Sequence, residues 1–205
     1  MSAIMKAQTA HWSAGTGREK FDDYGGCINC VLGSPDDGKW TRMHPDDFHL
    51  SAVWGRNSGN FSMAFLAELG ASPAPDGHGG IKPVGSKFAV TPKAIETMAK
   101  AFAENCCFHN LDPDGFYEGP VYIRHDAEGP NDRLEPTGAM QPLKVCADHA
   151  YYAKIDQYPQ DRFDIADIWE EVHPKMLWYI AEIKSGRQNY EHTRKGTYLK
   201  PGAEC

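Results

Sequence analysis

No segment of this chain reaches eighteen consecutive apolar residues, so no stretch could cross a bilayer as a helix. The opening MSAIMKAQTAHW carries one lysine and no apolar run of seven, and no secretory signal is expected. Clusters of Lys and Arg are lacking as well. With 21 basic against 28 acidic residues the net charge is −7, and a nucleic-acid surface, which needs grouped cations, is not expected. The mildly basic stretch Lys184 to Lys200 also holds Glu191 and two tyrosines, and reads as a solvated or subunit-contacting tail. There is no GxSxG elbow, no HExxH pair and no glycine-rich dinucleotide loop, so hydrolases and dehydrogenases of those types are not expected. These absences together point to a cytoplasmic protein. In that compartment thiols stay reduced, and six cysteines read as packing residues, ligands or nucleophiles rather than as three disulfides.

What is present suits one domain over residues 1–205: 41% apolar and 24% charged residues, close to globular values. Glycine (20) and proline (14) are enriched and cluster between periodic segments, which predicts long ordered loops. Residues 1–26 read as an extended N-terminal arm and 186–205 as an aperiodic C-terminal tail. Short strands are predicted at Cys27–Leu32, Lys39–Met43 and Leu50–Trp54, a short helix at Phe61–Leu69, and further strands near Lys87–Val90 and Val121–His125. Three main helices are predicted. The first, 91–109, starts at Thr91-Pro92 and carries the stripe Ile95, Met98, Ala99, Phe102, Cys106, His109. The second covers 142–157. The third, 163–185, is periodic through Ile165, Ile168, Trp169, Val172, Met176, Tyr179, Ile180 and Ile183, with a kink or break expected at Pro174. Strands mainly in the N-terminal half and helices later give a loop-rich α+β fold.

Three short pairs stand out: Cys27 with Cys30, Cys106 with His109, and Cys146 with His149. In each, a thiol is followed three places on by another metal-binding side chain, where chance predicts about 0.4 such pairs. A separation of three puts two ligands on one face of a helix turn or around one knuckle. Cys27 and Cys30, following Gly25 and Gly26, would complete a zinc site with Cys106 and His109, or with Cys146 and His149 instead. An iron–sulfur cluster on Cys27, Cys30, Cys146 and Cys106 or Cys107 is the lesser alternative, because the spacing fits neither ferredoxin pattern. The opposing reading is plain packing, since free cysteine is among the most buried residue types.

Other groupings are weaker. Gly33 to Lys39 has the frame of a phosphate loop, but Trp40 stands where a hydroxyl is needed and Asp36 and Asp37 repel phosphate; a simple turn is expected. His44 and His49 with two aspartates between them read as a local turn, as does the loop Gly77–Gly80 with His78. Glu170 and His173 repeat the Glu-x-x-His spacing of carboxylate-bridged iron helices, in a single copy. Arg124, His125 and Asp126 end a predicted strand opposite loops bearing Asp112, Asp114 and Glu118, and form the reserve catalytic candidate.

The expectation is therefore a zinc-binding component of an oligomeric or multi-subunit enzyme, its arms ordered by other subunits or further copies of the chain, with no nucleic-acid or membrane partner. The alternatives are a non-catalytic assembly subunit with packing cysteines, and a metal-free enzyme using His125 with nearby carboxylates.

Overall fold

Six residues expected in the N-terminal arm, Ala7–Trp12, instead form β1, an interior strand of the main sheet. In the computed structural model the described residues are 5–12, 30–32, 40–42, 56–65, 74–75, 81–82, 92–125, 133–156 and 166–188. The sheet also contains β2 (Cys30–Leu32), β3 (Trp40–Arg42), β4 (Asn60–Phe65) and, far along the chain, β9 (Cys146–Asp148). Its order is β3-β2-β4-β1-β9, with β2, β4, β1 and β9 parallel and β3 antiparallel on the edge. Residues Ala7 to His11 are all buried. A parallel strand covered on both faces shows no apolar–polar alternation, which is why this one read as an arm.

The predicted helix at Phe61–Leu69 is corrected as well: Asn60–Phe65 is strand β4, pairing with β1 residue for residue from Ala7↔Asn60 to Trp12↔Phe65. Alternation decides its faces. Phe61 and Met63 join the main core, while Asn60 points the other way and accepts a hydrogen bond from Thr9 at 3.0 Å. Two further short strands, β5 (Ala74–Pro75) and β6 (Ile81–Lys82), pair with each other. The strands expected at Leu50–Trp54 and Lys87–Val90 lie outside the described residues.

The first long helix is as expected. α1 spans Pro92–His109, and Ile95, Met98, Ala99, Phe102 and Cys106 are all buried. It stops at Asn110, whose φ of 53° is a left-handed conformation that asparagine tolerates better than most residues. The last helix, α3 (Ala166–Lys184), packs Val172, Met176, Tyr179 and Ile180 into the same core. Pro174 causes no break. The carbonyl it deprives of a partner belongs to exposed Glu170, where water can satisfy it. Gly186, at φ 74°, closes this helix with its amide donating to Ile183. Tyr179 and Lys175 of α3 both bind Glu96 of α1; Tyr179 first, then Lys175, holds the Glu96 carboxyl below its ordinary range, and burial with that carboxylate pushes Tyr179 up to about 12.

The predicted helix 142–157 is corrected over half its length. Residues Phe116–His125 (β7) and Arg133–Lys144 (β8) form a long antiparallel ribbon, Cys146–Asp148 is β9, and only His149–Ile155 is helical, as α2. Among the described residues six of the nine strands lie in the N-terminal half, as expected, and the two longest, β7 and β8, lie in the C-terminal half. Asp148 caps α2, its carboxylate accepting from the Tyr151 amide at 2.8 Å. Gly119 lets the ribbon close on itself: a Cβ there would stand 2.2 Å from Leu143 Cδ1. Phe116, Ile123 and Met140 are exposed on the ribbon.

Arg56 fastens ribbon, sheet and α2 together. It is buried, pairs with Asp156 at the end of α2 (2.8 Å to Oδ1), donates to the Pro120 carbonyl at 3.1 Å, and lies over the rings of Tyr122 and Tyr152. The architecture is α+β: α1 and α3 cover one face of the sheet, and α2 with Tyr152 and Leu143 covers the other.

Candidate functional site

Parallel strands all end on one side, and in open sheets that carboxyl end is where ligands bind. Here the strands bring two imidazoles to it. His11 is the last residue but one of β1, and His149 follows β9 directly as the first residue of α2. The register Gln8↔Cys146, Thr9↔Ala147, Ala10↔Asp148 carries forward to put His11 and His149 on one face. Their ring centroids are 4.4 Å apart at an interplanar angle of 36°. His11 is buried and His149 half-buried. A neutral imidazole offers a nitrogen lone pair that binds a metal or takes a proton.

Among the described residues no group of three or more His, Cys, Asp or Glu side chains is placed to hold a metal ion. The two imidazoles supply two ligands of the soft-to-borderline type that zinc accepts. Asp148, next in the chain, is engaged as the α2 cap. The connection from α2 to α3, residues 157–165, lies outside the described residues; its sequence holds Asp161 and Asp164.

Each of the three sequence pairs fares differently. Cys27 lies outside the described residues, and for Cys30 only the backbone is described, paired with Arg42 and Met63. Cys106 and His109 share α1, but Cys106 enters the core while His109, half-buried, meets the ring of Phe108 at 5.0 Å. Cys146 and His149 part company because the intervening residues are strand. Three places along a strand reverse the facing side, where three places along a helix preserve it. Cys146 therefore turns toward α1 and His149 toward His11.

The structure joins the thiols of two different pairs. Cys106 and Cys146, each 2% exposed, stand with their sulfurs 3.7 Å apart. The Gln8 side-chain amide donates to both, at 3.1 Å and 3.2 Å, and to the Phe102 carbonyl at 3.0 Å. The neighbouring Cys146 thiol and burial hold the Cys106 thiol far above its ordinary range, so it stays protonated at neutral pH.

Of the reserve catalytic group, Arg124 and His125 lie at the end of β7. His125 Nε2 meets Glu135 Oε2 at 2.9 Å on the ribbon, with the two side chains 43% and 57% exposed. Asp126 lies outside the described residues, and half-buried Arg124 faces Leu134 across the ribbon. Asp114 is near the other end of β7, roughly 30 Å away at the rise of an extended strand, and is paired with His173 of α3 at 3.1 Å. Glu170 and His173 both line a groove beside α3. His44, His49, the Gly33–Lys39 frame and Gly77–Gly80 lie largely or wholly outside the described residues.

His11 was missed from the sequence. The signal was a histidine closing a short run, AQTAH, before a glycine-rich stretch, but Gln8 and Thr9 disguised that run as polar arm.

No family model and no curated protein matches the chain. Among solved structures, the chain is similar to the Staphylococcus aureus hydrolase AmiA, determined in complex with its ligand. The TM-score is 0.54 at 12% identity, covering 91% of this chain and 77% of that one, a likeness of fold.

Proposed function

We propose that the chain is a zinc-dependent hydrolase acting on an acyl bond, amide or ester, at the carboxyl end of its parallel strands, with His11 and His149 as two of the metal ligands. The observation that carries this is the imidazole pair itself, 4.4 Å apart at the sheet end where ligands bind. The fold shared with a hydrolase supports the reaction class. A single ion held by imidazoles suits carbonyl hydrolysis, whereas the paired ions of phosphoryl transfer need bridging carboxylates.

When bound, zinc would lower the pKa of a coordinated water and polarise the scissile carbonyl. The chain's own part is positioning. The pairing of β1 with β9 fixes the separation of the two rings, and the Asp148 cap fixes the first turn of α2 on which His149 sits. Burial of His11 keeps bulk water from one side of the site.

The test is metal content and hydrolysis in one preparation. Purified protein is expected to hold close to one zinc, and chelation to abolish hydrolysis of acyl substrates. His11→Ala and His149→Ala are each expected to lose both metal and activity, on the order of a thousandfold for the latter. Full metal and full turnover in His149→Ala would overturn the reading.

A second reading, an assembly subunit, draws on the exposed Phe116, Ile123 and Met140 of the ribbon, because a two-stranded ribbon is marginal alone in water. Sedimentation of the purified chain as a monomer at high concentration would remove it.

A further inference from the structure

We propose that Cys106 and Cys146 are a modification site, a vicinal dithiol that low-molecular-weight disulfides oxidise by way of the groove beside α3. This inference does not depend on the hydrolase reading, because the thiols and the imidazoles lie on opposite faces of the sheet.

Proximity is the first ground. The sulfurs are 3.7 Å apart, and a disulfide requires about 2.05 Å, so bond formation needs a closure within reach of side-chain rotation. Access is the second. Both thiols are buried, yet Cys146 forms part of the wall of a groove of about 310 Å³, with Pro113, Asp114, Lys144, Trp169 and His173. A reagent entering there meets Cys146 first and finds Cys106 behind it. The third is positioning. The Gln8 amide donates to both sulfurs and so holds them side by side. Cys107, partly exposed on α1, is the third described thiol.

The exchange proceeds in two displacements. The Cys146 thiolate attacks one sulfur of the reagent RSSR, forming a mixed disulfide and releasing RS⁻, which takes up the proton lost by Cys146. The Cys106 sulfur then attacks the Cys146 sulfur, expelling the second RS⁻, which takes up the proton lost by Cys106. The dithiol is oxidised to one disulfide, and the reagent is reduced to two thiols. The new bond ties α1 to β9 and closes a loop of some forty residues.

The experiment treats the full-length native protein with excess glutathione disulfide, quenches with acid, alkylates free thiols and maps the peptides. The expected product links Cys106 to Cys146 and is lighter by two hydrogens than the reduced chain. It persists in Cys107→Ser, which removes ambiguity from the adjacent thiol. Cys106→Ser is expected to trap glutathione on Cys146, and Cys146→Ser to leave Cys106 unmodified. The bridged protein should melt about 5–10 °C higher than the reduced one. Cys146 remaining free under conditions that modify Cys107 would overturn the proposal, as would a bridge joining either thiol to another cysteine. Mapping of the unsubstituted chain decides the matter even where a serine variant folds poorly.

Discussion

Cys146 at the start of β9 and His149 just past its end are three positions apart and belong to different chemistries. At its start, Cys146 faces α1, meets Cys106 and lies in the core; just past its end, His149 faces the opposite side of the sheet and meets His11. Both residues came from one sequence pair that looked like a single ligand set. The difference teaches that a separation of three has meaning only once the backbone is known. A helix would have aimed thiol and imidazole at one point, and a strand sends them to opposite faces.

That contrast can be broken most directly by substitution at each end. His149→Ala should reduce hydrolysis on the order of a thousandfold while Cys146→Ala leaves kcat within about threefold, as measured on the same acyl substrate. Equal losses would mean that the two ends share one site. Next in size is the buried pair that sets α2, and hence His149, against the ribbon: Arg56→Ala should cost about 3–5 kcal/mol in urea unfolding, because it strands the Asp156 carboxylate. On the thiol side, Gln8→Leu removes the amide that bridges Cys106, Cys146 and the Phe102 carbonyl, with an expected loss of about 1–3 kcal/mol by the same measurement.

A pH titration of stability sharpens the comparison further. Contact with Cys146 and burial raise the Cys106 thiol, and burial raises Tyr152, so the folded chain keeps protons that the unfolded chain gives up. Stability is therefore whole below the unfolded thiol value of 9.0 and declines as pH rises beyond it. Chemical denaturation between pH 7 and 10 should show this decline, and Cys106→Ser should make it shallower. The smallest effect belongs to the ribbon surface: Ile123→Ser should change unfolding free energy by no more than about 0.5 kcal/mol, since that side chain is already 53% exposed.

How much was legible depended on which force left its trace in the local pattern. α1 and α3 could be read because each has one buried stripe, and a 3.6-residue period survives in the sequence whatever the stripe packs against. β4 was read as the start of a helix because Asn60 or Ser58 could cap one and Gly70 with Pro73 could stop it, and only pairing with β1 made it a strand. The segment 142–157 misled because Cys146 and His149 resembled one helical face. There, Leu143, Val145 and Cys146 are buried through the ribbon and sheet instead. Of the site, His149 was legible as a candidate and His11 was not.

By itself the sequence determined the two long helices, the absence of a bilayer-crossing helix and the α+β class, because periodicity and capping are local properties. Tertiary structure alone decided that Gln8, Thr9 and His11 lie in an interior strand. Their polar groups are tolerable inside only because Phe102, Asn60 and His149, from distant parts of the chain, arrive to meet them. It also decided which cysteine faces which, since register between strands roughly 140 residues apart leaves no mark in either segment.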